Sequence, residues 1–220
     1  MNNGLQKLVI PLSTFLTLTF VSVSATLADV QFPVNVPMSK LGEVAKYRNI
    51  DLWNNKELWT SEVEIVEVRP DQFVLRVSSS DNPQPRTSQF TREWQPCRTM
   101  KNSNQSICAG ALKFPMQLGN KHSYENLPWT NGNGHSSGSC EVKGQEKVTV
   151  PAGTFDAVRI DCGGYWNRVF GGVFSGRVTE THWYSPKISR LVKTQFTDYN
   201  SGSGGVFNKT QTELIEFTEK

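Results

Sequence analysis

The stretch that decides the fold is Cys140-Glu-Val-Lys-Gly-Gln-Glu-Lys-Val-Thr-Val150, followed by Pro151-Ala152-Gly153-Thr154 and then Phe155-Asp-Ala-Val158-Arg-Ile160-Asp-Cys162. Cys140, Val142, Val148 and Val150 are all even, so a regular strand puts them on one side. Val158, Ile160 and Cys162 alternate in the same way beyond a Pro/Gly turn. A hairpin turning near 151–152 sets Cys140 opposite Cys162, and opposed strand residues have the separation that a disulfide spans.

The same grammar extends outward. Glu62-Val63-Glu64-Ile65 alternates, the frame breaks at Val66, and Arg69-Pro70-Asp71-Gln72 turns into Phe73, Leu75 and Val77. That is a second hairpin, with a bulge expected at Ile65-Val66. Further strands are expected at Thr179–Tyr184, Leu191–Phe196 and Gln211–Phe217, with a Gly/Ser loop over 201–205. Helical spacing occurs only at Leu41, Val44, Ala45 and Tyr47, a short stretch interrupted by Gly42. The expected class is all-β: an antiparallel curved sheet or half-barrel in one domain over 29–220. Pro37-Met38, Leu41-Gly42 and Tyr47 parallel Pro115-Met116, Leu118-Gly119 and Tyr124, which suggests two half-repeats, 37–112 and 113–217.

Residues 1–28 read as a signal peptide, with Lys7 as its only charge, an apolar run over 8–23 and small residues before cleavage at Ala25 or Ala28. The run is short and rich in Ser and Thr for a membrane span, so no stable span is expected after cleavage. The expected location is periplasmic or secreted. The cysteines Cys97, Cys108, Cys140 and Cys162 then form two disulfides, Cys97–Cys108 closing a polar loop beside the Cys140–Cys162 hairpin. No close Cys or His pairs suggest zinc, and neither a metal nor a cofactor is expected.

The balance of charge is nearly neutral: Lys+Arg 23 against Asp+Glu 20. Such a chain is not built to neutralise many phosphates, so nucleic acid is not an expected partner. Gly134-His135-Ser136-Ser137-Gly138 fits the G-x-S-x-G pattern of serine hydrolases, with Asp161 and His182 following in a permitted order. That chemistry needs a strained strand-to-helix turn, whereas this motif sits in loop-like sequence with no helix after it. Glu180 and His182 share a strand face and read as an exposed ion pair beside Trp183. The aromatic residues are the better lead. Trp129 at a loop edge, Phe170 and Phe174 around a Gly-Gly pair, and Trp183 are candidate contacts for a ligand or partner.

Phe114-Pro115-Met116-Gln117-Leu118-Gly119, Val150-Pro151-Ala152-Gly153-Thr154-Phe155, Trp183-Tyr184-Ser185-Pro186, Arg190-Leu191-Val192-Lys193 and Glu213-Leu214-Ile215-Glu216-Phe217 together resemble a set of exported bacterial proteins of unknown function. The resemblance covers 114–217, and His122 stands where that set is expected to have a tryptophan. It implies a bacterial envelope protein on a curved antiparallel sheet, akin at the fold level to periplasmic lipoprotein carriers, and it assigns no catalysis. The leading expectation is a non-catalytic binding module for a lipid-like, apolar or amphipathic ligand, or for another envelope protein. The alternatives are a serine hydrolase centred on Ser136 and a purely structural envelope component.

Overall fold

The computed structural model describes residues 30–99, 105–129, 133–169, 171–200 and 203–219, with the backbone alone at Val173. Among these residues there is no α-helix. Twelve strands run as β1 (Val44–Asp51), β2 (Lys56–Val68), β3 (Gln72–Ser79), β4 (Arg86–Thr91), β5 (Pro96–Thr99), β6 (Ser106–Cys108), β7 (Lys121–Pro128), β8 (Gly134–Val150), β9 (Gly153–Val169), β10 (Val173–Ser185), β11 (Arg190–Asn200) and β12 (Val206–Thr218). All belong to one sheet in the order 6-5-4-3-2-1-12-11-10-9-8-7, every pairing antiparallel. The all-β, curved antiparallel expectation therefore holds. The stretch with helical spacing joins β1 instead, because its apolar residues find strand partners on both sides: Ala45 pairs with Val63 and with Phe217.

The sheet is two six-strand meanders joined where β1 meets β12. Its outer strands, β6 and β7, curl toward each other. Arg98 on β5 donates from Nη1 to the carbonyl of Pro128 at 3.3 Å, and His122 Nε2 lies 3.0 Å from the carbonyl of Gly110. The interior of the curl is packed on β8–β10 by Val142, Val158, Ile160, Tyr184 and the Cys140–Cys162 disulfide. Leu112, Phe114 and Met116, from the segment joining the halves, fill the space in front of them. Ile65, Phe73 and Leu75 form the matching cluster of the first meander, with Trp94 packed against both groups.

The turn between β8 and β9 folds across to β12, where the Ala152 N–H donates to the Leu214 carbonyl at 3.2 Å. Val148, Val150 and Ala157 thereby close one end against Trp183, Val192 and Leu214. The two similar sequence stretches also join the sheet alike. Gly42 and Gly119 both have positive φ (82° and 79°), and their N–H groups donate to the carbonyls of Ile65 and Val142.

Candidate functional site

The open end of the curled sheet holds the site. Residues paired across antiparallel strands project from the same face, so the ladder lays out its floor in rows. Ser136, Trp166, Gly176 and Asn200 form one row; Gly138, Gly164, Val178 and Asp198 form the next; Cys140, Cys162, Glu180 and Phe196 form a third. Above them the concave face is solid core. Below them it opens into a cleft of about 690 Å³.

Glycines make the cleft possible. A Cβ on Gly176 would lie 2.4 Å from the Trp166 ring, and one on Gly138 would lie 2.8 Å from the Tyr124 hydroxyl. Both side chains thus press against bare backbone and line the cleft, where any larger residue would push them away. Trp166 is fixed by a 2.9 Å bond from Nε1 to Asp198 Oδ1, and the Trp129 ring sits 6.0 Å from it. Trp129 in turn covers Gly134, where an added Cβ would come within 2.8 Å of the indole. Expected at an exposed loop edge, Trp129 is half-buried for this reason.

Charge is arranged around this aromatic floor. The Arg168 guanidinium lies 5.9 Å from the Trp166 ring and 5.5 Å from the Phe174 ring, a cation against two π faces. Arg98 lines the opposite wall. Glu180 carries a carboxylate at the deep end, with Oε2 2.7 Å from His182 Nε2, while His182 Nδ1 meets Thr194 Oγ1 at 3.2 Å. That pair differs from the sequence reading. It faces inward rather than standing exposed, and His182 is buried. Burial, with Glu180 adding to it and Arg98 opposing, pushes the Tyr124 phenol above its usual range.

Four residues were singled out from the sequence as contacts. Trp129 and Phe174 line the cleft, and Phe170 lies outside the described residues. Trp183 is placed elsewhere: it is 9% exposed, donates from Nε1 to Glu146, and has Lys193 Nζ over its ring at 5.1 Å, at the closed end. Trp166, Tyr124, Arg98 and Arg168, which the sequence reading did not pick, complete the site. The run Gly163-Gly164-Tyr165-Trp166, glycines beside a tryptophan in a strand, was the signal available for Trp166.

The serine motif is strand, not loop. Ser136 lies inside β8 opposite Trp166 and faces the cleft. His182 lies six residues along β10 from Gly176, which shares Ser136's row, a displacement of about 20 Å at the strand rise. Asp161 pairs with Thr181, one residue out of step with His182, and projects from the other face. The three side chains are not brought together. Cys97–Cys108 and Cys140–Cys162 are disulfides, each between residues directly opposed in the ladder. No group of three or more metal-ligating side chains occurs among the described residues.

No protein-family model matches the chain, and no curated protein matches it. Three solved structures are similar over most of its length. A Bacteroides fragilis exported protein with a YmcC-like fold is 12% identical, covers 85% of this chain and 100% of its own, and has a TM-score of 0.49. A lipoprotein from Parabacteroides distasonis is 15% identical over 86% and 100%, with a TM-score of 0.48. The hypothetical lipoprotein YmcC of Escherichia coli is 10% identical over 81% and 86%, with a TM-score of 0.38. Likeness at this level carries no activity from one chain to another.

Proposed function

We propose that the chain is an exported, non-catalytic binding protein whose concave cleft holds a small amphipathic molecule. One observation carries this reading: the cleft has an aromatic floor of Trp129, Trp166 and Phe174, with Arg98, Arg168 and Glu180 around it and the Asp198 carboxylate tied to the Trp166 indole. An apolar body can lie on the rings while a polar head meets Arg98, Arg168 or Glu180, the usual division of labour in small-molecule sites. The volume of about 690 Å³ falls within the range of such sites, roughly 300–1,000 Å³. Export rests on the signal-like residues 1–28 and on the pairing of all four cysteines.

Native mass spectrometry of protein purified from its own envelope tests the reading. A bound small molecule is expected, and Trp166→Ala should release it. A bare protein mass from both forms would count against carriage. The serine-hydrolase alternative is checked in parallel with a panel of ester substrates. No turnover is expected, and turnover abolished by Ser136→Ala would replace the binding reading with a catalytic one.

A further inference from the structure

A second hollow, of about 280 Å³, lies between the first meander and strands β11 and β12. No residue lines both it and the cleft. Its walls are mainly apolar: Val63 and Leu75 from β2 and β3, Phe90 from β4, and Leu112 from the segment joining the halves. Trp94 and Arg190 complete it.

Three hydroxyls along these walls are engaged. Tyr47 donates to the Leu191 carbonyl at 3.2 Å, Thr194 Oγ1 meets His182 Nδ1 at 3.2 Å, and Thr212 donates to Asn49 Oδ1 at 2.6 Å. Two N–H groups of the lining are not. Trp94 Nε1 and Arg190 Nε are shut off from solvent and have no acceptor in the protein. Arg190 is only 3% exposed, so its donor cannot turn to bulk water, and a buried donor left unsatisfied is costly. Trp94 is also strained: its φ of 59° lies in the left-handed region, which bulky side chains seldom adopt and which gathers at ligand sites. It is held there by its backbone N–H, which donates to the Thr91 carbonyl at 2.9 Å, and by its ring, stacked on Phe73 at 5.0 Å and covered by the Arg190 guanidinium at 4.0 Å.

Both open groups are donors, so an acceptor completes the site. Charge makes that acceptor a neutral one. The Arg190 guanidinium is already matched by Glu43, Nη2 to Oε2 at 2.9 Å, and Lys193 Nζ is drawn over the Trp183 ring, 5.1 Å from its centre. A bound anion would put a second buried negative charge on one guanidinium. We propose that this hollow is a second binding site, for a small and mainly apolar molecule whose uncharged carbonyl oxygen accepts from Trp94 Nε1 and Arg190 Nε. Its volume is nearly twice that of a cavity that takes benzene, roughly 150 Å³, so a ring or a short acyl chain fits. The proposal does not rest on the cleft's having a ligand.

The test is a titration of the purified, nitrogen-15-labelled protein with methyl octanoate, followed by NMR, with octane and octanoate as comparisons. The Trp94 indole N–H signal, identified as the one that Trp94→Phe removes, should move downfield and saturate with the ester, while those of Trp129 and Trp166 in the cleft stay in place. Octane, which has no acceptor, and octanoate, which has a charged one, should bind more weakly. Trp94→Phe keeps a ring on Phe73 but loses the donor. Followed at the Val63 and Leu75 amides, it should weaken ester binding about two- to tenfold and erase the preference over octane. Val63→Phe should fill the hollow and abolish binding, with the rest of the amide spectrum showing that the fold is kept. The proposal is overturned if the Trp94 signal does not respond, which would mean that the hollow holds water alone. It is equally overturned by octanoate binding more tightly than the ester, or by Trp94→Phe binding the ester undiminished. Movement confined to Trp129 and Trp166 would also overturn it, while leaving the cleft reading intact.

Discussion

Arg190 is 3% exposed and sits between two aromatic rings, 4.0 Å from Trp94 and 5.7 Å from Phe217. Burial pulls its pKa below the ordinary guanidinium value, with Tyr47 and Glu43 opposing. Its charge survives because Nη2 donates to Glu43 Oε2 at 2.9 Å and Nη1 to Ser39 Oγ at 2.7 Å, while Glu43 Oε1 accepts the Lys40 N–H. Removing one partner strands the other. Glu43→Gln is therefore expected to cost about 3–5 kcal/mol, measured by denaturant unfolding, and more than any exposed pair such as Lys46–Glu216.

Two phenols nearby, Tyr184 buried and Tyr47 partly buried, make stability fall at high pH. Burial pushes Tyr47 and Tyr184 up to about 12, and Tyr47 donates to the Leu191 carbonyl at 3.2 Å. An acid whose folded pKa is raised above its unfolded value of about 10 keeps its proton longer when folded, so the unfolded chain ionises first. The stability they contribute is whole below pH 10 and drains away as pH climbs toward 12, by about 2–3 kcal/mol for each phenol. Melting curves across that window should show the loss, and Tyr47→Phe with Tyr184→Phe should flatten it. At the site, Gly176→Ala would drive a methyl group into the Trp166 ring. The expected result is a loss of about 1–3 kcal/mol and a shifted tryptophan emission as the Asp198 bond breaks.

At the scale of elements, the β2–β3 and β8–β9 hairpins were legible because their apolar faces obey period two on either side of a single bulge. Val63 pairs with Val77 and Ile65 with Leu75, and the register slips between Ile65 and Glu67, where the alternation breaks in the sequence. Cys140 faces Cys162 although Val150 faces Gly153, because a bulge between Val142 and Gly144 absorbs the odd residue. Replacing both cysteines by alanine should cost about 3 kcal/mol for a link across 22 positions, read as a lower denaturation midpoint under non-reducing conditions. The first turns of β8 were not legible. Gly134-His-Ser-Ser-Gly138 has the composition of a loop, and it is held extended by rings that arrive from β7 and from Trp129. Periodicity cannot report a strand whose packing partners are supplied by other segments. The same reason hides the cleft, since Trp166 and Arg168 acquire their meaning only once Gly176 and Phe174 are laid beside them.

For the molecule as a whole, the alternation announced strands but not their order, and nothing in the sequence marked β1 as the neighbour of β12. That junction is the longest-range pairing in the sheet, from Val44 with Thr218 to Asp51 with Thr210. It has a topological consequence. Gln31 and Glu219 line a common hollow, so the two extremities of the described chain come back to one place. A short tether between them would convert β12 and β1 into an ordinary ribbon, and the backbone could then be opened at the exposed 81–85 bend between β3 and β4. Such a circular permutant should keep all eleven strand pairings and melt cooperatively, as befits a necklace whose clasp happens to lie between its first and last beads.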